Sequence, residues 1–281
     1  MKRIMVLFAT LTLAVLVSSQ TFAQEAAAPM EGPPNVLMIV REQIKPGKGV
    51  DHTAESNRFT QVLRKAKSTY GRIAMVPIAG DENEVMYVWP FASFAELEKM
   101  NQDVEKWSTG ALKADFEAIA PGPEDLHVSQ RDMFAVYRAD LSYRAGVNIA
   151  EMRYFSVTTF QIRLGQQSQF AAVAKMYKDN AEKAKLDSHY AIFQVVSGAE
   201  GGTYLVMRPM KSLAEMDGIP AEMKAFSDAM GAEGMKAFDK MSGEVIQSTF
   251  SRIYAFNARM SYVSAEFAGR DKSTPAFWNP N

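Results

Sequence analysis

The sequence states one plan twice. Gln43-Ile44-Lys45-Pro46-Gly47 returns as Gln161-Ile162-Arg163-Leu164-Gly165, and Lys65-Ala66-Lys67 returns as Lys183-Ala184-Lys185, each 118 residues later. Near the end of each copy, Ala139-Asp140-Leu141-Ser142-Tyr143 corresponds to Ala258-Arg259-Met260-Ser261-Tyr262, with the spacing drifting to 119. One such match can arise by chance. Three in the same order at nearly the same spacing mark a duplicated unit.

Each copy reads in the same order. In the first, strand one runs from Asn35 to Ile44 and is interrupted by Pro46-Gly47. A helix then runs from about Val50 to Lys67, with Phe59, Val62, Leu63 and Ala66 on one apolar face. Gly71 to Ala79 and Val85 to Trp89 form a hairpin around Gly80-Asp81-Glu82-Asn83. Helical material from Ser93 to Ala120, broken near Asn101, ends at Pro121-Gly122-Pro123, and Met133 to Leu141 closes the unit. The second copy repeats this with a strand at Tyr154 to Ile162 and a helix at Gln167 to Leu186. A hairpin follows, Tyr190 to Ser197 and Thr203 to Met207, turning at Gly198 to Gly202. Helical segments at Leu213 to Met216 and Ala221 to Ser242 precede a last strand, Ser251 to Tyr262. The order β-α-β-β-α-β is the ferredoxin-like unit, whose helices cover one face of an antiparallel sheet.

The other face also needs cover. A strand with one wet face alternates apolar and polar side chains, yet Val36 to Val40, Ala191-Ile192-Phe193 and Tyr204 to Met207 are apolar at every position. Each such side chain gains roughly 1.5–3 kcal/mol on burial. The neighbouring copy, held close by a short connection from about Arg144 to Met152, is the available partner. The expected fold is α+β: two tandem repeats, residues 36–144 and 152–263, with their antiparallel sheets packed face to face as an intramolecular pseudo-dimer.

The chain ends carry a different message. Met1-Lys2-Arg3, an apolar run from Ile4 to Val17 and the small-residue site before Gln24 read as a secretory signal cleaved after Ala23. This run of 14 residues falls short of the roughly 20 needed to span a bilayer, so no membrane anchor is expected after cleavage, and the expected location is periplasmic or extracellular. Cleavage would leave 258 of the 281 residues. Residues 24–35, rich in Ala and Pro, form a flexible lead-in, and 264–281 a C-terminal tail whose Phe277-Trp278 pair is expected to dock on the barrel. Removing Lys2 and Arg3 lowers 31 basic residues to 29 against 32 acidic ones, a net charge of −3 that offers nothing to nucleic acid. With no cysteine, thiol catalysis, Cys-ligated zinc, iron–sulfur clusters and disulfides are excluded.

Two ferredoxin-like units meeting through their sheets, with the strand exits Lys45-Pro46-Gly47-Lys48 and Arg163-Leu164-Gly165-Gln166, resemble the dimeric α+β barrel superfamily. That superfamily includes antibiotic-biosynthesis monooxygenases, NIPSNAP and EthD proteins and the haem-binding chlorite dismutases. The resemblance spans about Asn35 to Val263. It implies a fold and leaves the activity open, because the superfamily holds enzymes, haem proteins and proteins of other roles.

Candidate site residues come from polar positions on apolar strands, which must be paired or wet. Arg41 and Gln43 share a face of strand one, and Thr159 and Gln161 hold the matching places in copy two. They line a ligand cavity or merely fray at the strand ends. Arg72, Arg208 and Arg252 could meet an anion, but as strand-end charges they read as surface residues. His189, before the second strand of copy two, is the one histidine entertained as a haem ligand; a solvated position at a strand edge is the simpler explanation of it. His52 at a helix start and His127 in a loop show no metal spacing, so no metal site and no cofactor is assigned. The abundant methionines and aromatics furnish either a pliable pocket or the core. No nucleotide loop or serine-nucleophile motif occurs, and no catalytic residue is named. The expected function is an exported barrel that binds a small apolar or amphipathic ligand or serves a structural or interaction role. The alternative is an enzyme resembling the cofactor-independent monooxygenases, acting on an aromatic or quinol substrate, with haem binding a remote third.

Overall fold

A computed structural model of the chain describes residues 32–119 and 126–279. The expected leader, most of the lead-in and the Pro121-Gly122-Pro123 break lie outside the described residues.

The first half comprises β1 (Val36–Ile44), α1 (Gly49–Lys65), β2 (Arg72–Pro77), β3 (Glu84–Phe91), α2 (Phe94–Thr109), α3 (Lys113–Ile119) and β4 (His127–Tyr137). A one-turn 3-10 helix, Ile149–Glu151, leads into the second half. There the elements are β5 (Tyr154–Ile162), α4 (Gln167–Lys183), β6 (Ala191–Ser197), β7 (Thr203–Met210), α5 (Ile219–Val245) and β8 (Ile246–Tyr262), followed by the short α6 (Ala265–Gly269). Both halves are β-α-β-β-α-β units, and both have the sheet order expected of that unit.

All eight strands pair antiparallel in one closed barrel, β1-β3-β2-β8-β5-β7-β6-β4 and back to β1. The halves therefore share a core and are also sewn edge to edge. β2 pairs with β8, Met75 opposite Phe256, and β4 pairs with β6, Tyr137 opposite Phe193. Among the described residues, closure leaves no unpaired edge strand.

The pleat explains the uninterrupted apolar runs. Leu37 and Ile39 point into the barrel beside Met86, Phe155, Val157, Leu205 and Phe256. Their neighbours Val36, Met38, Val40 and Ile44 point outward beneath α1 and α2. Ile162, Ile192 and Tyr204 do the same beneath α4 and α5. There are thus three cores, one inside the barrel and one under each helical layer.

One barrel end is plugged. Met152 and Trp278 belong to the interior core, packed against Val147, Ile149, Phe267 and Phe277. The tail is fixed by Trp278, whose indole Nε1–H donates to the Ala150 carbonyl at 2.7 Å. Asn148 Nδ2 donates to the Arg270 carbonyl at 2.8 Å.

Four local expectations need correction. α2 is unbroken through Asn101 and ends at Gly110, where a Cβ would sit 2.6 Å from the Lys106 carbonyl oxygen, so only glycine fits. The long second-copy helix is kinked at Gly231, whose φ of 74° no helix interior accommodates. β4 begins at His127, six residues earlier than expected, and β8 at Ile246, five residues earlier. The early parts of both strands are largely exposed polar residues, which carry no hydrophobic signal, and are held by pairing to β1 and β5.

Candidate functional site

The end opposite the plug opens into a cavity of about 530 Å³. Its walls are the last residues of β1 and β5 and the facing ends of β3, β4, β7 and β8. Arg41, Gln43, Thr159 and Gln161 all line it, so the pseudo-symmetry of the two copies brings these four positions to one place. Met133, Leu205 and Phe250 supply apolar wall, and Glu84, Arg131, Thr203 and Arg252 complete the polar part.

Most of these polar groups are held by the protein. Gln43 Nε2 donates to Asp81 Oδ1 at 3.1 Å. Gln161 Nε2 donates to the Gly201 carbonyl at 2.6 Å, while its Oε1 accepts from Thr203 Oγ1 at 2.8 Å. The Glu84 carboxylate accepts the Tyr254 hydroxyl at 2.6 Å on one oxygen and Arg252 on the other. Burial pushes the Tyr254 hydroxyl up to about 12; the positive charge of Arg41 opposes this and the bond to Glu84 adds to it. Tyr254 therefore stays a neutral donor across the physiological range.

Arg41, Arg131 and Thr159 are the exceptions among the described residues, and of the three only Arg41 has a buried side-chain atom without a partner. Its guanidinium makes no hydrogen bond or ion pair with any described residue, and its Nε is buried without a partner. A cation lining a cavity in this state is poised for an anionic or carbonyl oxygen brought by a ligand.

His189 lies elsewhere. Its Nε2 is 2.8 Å from the carbonyl oxygen of Pro209, at the far end of β7 from the Thr203 and Leu205 that line the mouth. This arrangement does not fit a haem ligated by His189 within that cavity.

None of the three strand-end arginines is an exposed surface residue. Arg252 lines the mouth and is spent on Glu84. Arg72 is 7% exposed beneath α1, where its Nη2 donates to Ser56 Oγ at 2.9 Å and to the Ser56 carbonyl at 3.1 Å. Its guanidinium lies 4.4 Å from the Tyr87 ring centroid and 4.6 Å from that of Phe59. Arg208 pairs with Glu222 on α5 at 3.3 Å.

A second cavity, about 340 Å³, lies between the first sheet and helices α1 and α2. Glu42, His52 and His127 meet at its edge. His52 Nε2 is 2.7 Å from Glu42 Oε2, His127 Nε2 is 3.5 Å from the same oxygen, and the two imidazole rings stand edge to face at 5.4 Å. Sequence reading missed this group because its members come from a strand, a helix and a strand begun too late. The signal was His52, Ser56 and Thr60, a polar stripe at i, i+4, i+8 on the buried side of α1. Glu84 falls between the expected turn, Gly80 to Asn83, and the strand expected from Val85; it is the first residue of β3 and shares a face with Met86 and Val88.

Two β-α-β-β-α-β units whose strands close a single barrel decide the architecture. The chain has the dimeric α+β barrel fold. No family model and no curated protein matches the sequence. Among solved structures, this barrel is similar to an anthrone oxidase-like protein, 14% identical with a TM-score of 0.49, over 79% of this chain and 92% of that one. It is also similar to a provisionally named monooxygenase from Lactobacillus acidophilus NCFM, 7% identical with a TM-score of 0.46, over 81% and 95% of the two chains. A chlorite dismutase variant from Candidatus Nitrospira defluvii, in complex with cyanide, is 8% identical with a TM-score of 0.47, over 85% and 95%. At these identities the likeness is one of fold, and activity does not travel with it.

Proposed function

We propose that the protein is an exported barrel that binds a small amphipathic molecule in the open mouth. The anionic or carbonyl end of the ligand meets Arg41, and its apolar body lies against Met133, Leu205 and Phe250. The observation that carries this reading is Arg41, a partly buried guanidinium without a partner among the described residues, in a cavity of about 530 Å³, a size suited to a small ligand. The leader-like first 23 residues support a periplasmic or extracellular location. A thermal-shift panel of aromatic and aliphatic carboxylates, phenols and quinols tests it. A ligand at about 100 times its Kd adds roughly 2.7 kcal/mol to the folded state. A panel in which no compound raises the melting temperature contradicts the reading.

A second reading is favoured by Glu84, a carboxylate on the cavity wall backed by Tyr254 and Arg252. Such a group can take a proton from a phenolic or quinol substrate held against it, as a cofactor-independent monooxygenase requires. Oxygen uptake with the same phenols and quinols, lost in Glu84→Gln, supports it; no uptake across the panel removes it.

A further inference from the structure

The two halves differ in what they bury between sheet and helix. In the second half, Phe160 on β5, Phe170 on α4 and Tyr204 on β7 fill the junction with rings, Phe160 6.0 Å and Tyr204 4.4 Å from Phe170. At the places 118 residues earlier the first half carries Glu42 and His52. Beside them is the cavity of about 340 Å³. A carboxylate and an imidazole are poor fillers for such a junction, since both lose hydration there. The fold does not require them, because the second half builds the same junction without them.

The third group comes from a different element. His127 is the first residue of β4, opposite Ile44 on β1, and its ring reaches the same carboxylate oxygen as His52. The donor atoms of Glu42, His52 and His127 all lie within 4.8 Å of one another. Donors that share one ion at bonds of about 2.1 Å stand roughly 3 Å apart, and the observed 2.7 and 3.5 Å bracket that spacing. A tilt of His127, the most exposed of the three side chains, closes the remainder.

Glu42 also makes no ion pair with the arginine that shares its cavity. Arg72 is a buried cation lining the same cavity, and it is held instead by Ser56 and the faces of Tyr87 and Phe59. The carboxylate is left turned toward two imidazoles.

We propose that Glu42, His52 and His127 bind a divalent first-row transition-metal ion at the edge of this cavity. Two imidazoles and one carboxylate suit zinc, cobalt, iron or manganese better than magnesium or calcium, which prefer all-oxygen shells. Three protein ligands leave at least one coordination position for water or a small anion, and all three line the cavity. Glu42 also borders the barrel mouth, but along β1 it and Arg41 are successive residues and project to opposite faces of the sheet, so its carboxylate meets the imidazoles on the helix side.

The test uses the full mature chain, stripped with a chelator and dialysed against Co²⁺ or Zn²⁺. The expected result is one ion per chain and visible d–d absorption from the Co²⁺ form. Loss of groups that only support a ligand typically weakens metal binding by 10–100-fold, so Glu42→Gln and His127→Ala should each weaken it by on the order of 100-fold or more. His52→Phe, which copies the second half, should fold and bind no ion; if it does not fold, the other two variants decide. Lys224→Gln, an exposed change on α5, should bind Co²⁺ as the parent does. Sub-stoichiometric binding without d–d bands, equal binding by parent and ligand variants, or a loss in Lys224→Gln as large as in Glu42→Gln would overturn the assignment.

Discussion

Arg153 and Asp271 meet at 2.5 Å beneath the plugged end of the barrel, joining the start of the second half to the C-terminal tail. Asp271 is 1% exposed, and its other oxygen accepts the backbone N–H groups of Ser273 and Thr274 and the Ser273 hydroxyl. Arg153 in turn lies 4.0 Å over the Phe277 ring. The tail is therefore seated by charge as well as by rings.

That pair makes the plug sensitive to acid. Burial alone would raise the Asp271 carboxyl, but the Thr274 and Ser273 bonds and Arg153 outweigh it and hold the group below its ordinary range. A depressed folded-state value contributes stability above the unfolded value of about 3.9, and that contribution is lost as pH falls through the lower folded value. Asp271→Asn should remove the acid-dependent part and lower stability at neutral pH by about 3 kcal/mol. Urea unfolding of parent and variant between neutral pH and about pH 3 checks this: the gap between them should narrow as pH falls.

Trp278 anchors the same plug through its bond to Ala150 and its contacts with Phe256, Phe267 and Phe277, whose centroids lie 5.8, 5.2 and 4.9 Å away. Trp278→Ala should cost about 3–5 kcal/mol. Chemical denaturation gives the stability, and proteolysis of the tail ahead of the barrel shows whether the loss is local.

At the mouth, Gly198 turns from β6 with φ of 87°, and a Cβ there would lie 2.0 Å from the Asp132 carbonyl oxygen. Gly198→Ala must both strain the turn and push β6 off β4, a loss of about 2–4 kcal/mol. A fall in melting temperature together with weaker ligand binding is the expected pair of readouts, because Gly198 also lines the cavity.

Tyr254→Phe leaves a Glu84 oxygen buried without its donor, at a cost of about 1–3 kcal/mol. Glu84→Gln with Tyr254→Phe should cost less than the two single changes added together, which a double-mutant cycle measures.

The duplication made much of the fold legible. Two copies at a spacing of 118 residues, with Leu37 and Ile39 apolar beside equally apolar Val36 and Met38, required cover on both faces and so a shared core. Arg41, Gln43, Thr159 and Gln161 were legible for the same reason, since equivalent residues of two related units fall around one axis. The triad of Glu42, His52 and His127 was not, because its residues are neither near in sequence nor related by the repeat. Whether Arg72 was buried or exposed could not be read either: a strand-start arginine looks alike in both settings until α1 is laid over it.

The account turns on Arg41 as the group that receives the ligand, and a titration with a fluorescent aryl sulfonate tests this most directly. The parent chain should bind one equivalent, and Arg41→Gln, with its fold intact by circular dichroism, should bind at least about tenfold more weakly, in line with the loss of one charge-assisted hydrogen bond. Equal affinities for parent and variant, or probe bound only at the plugged end against Trp278, would contradict it.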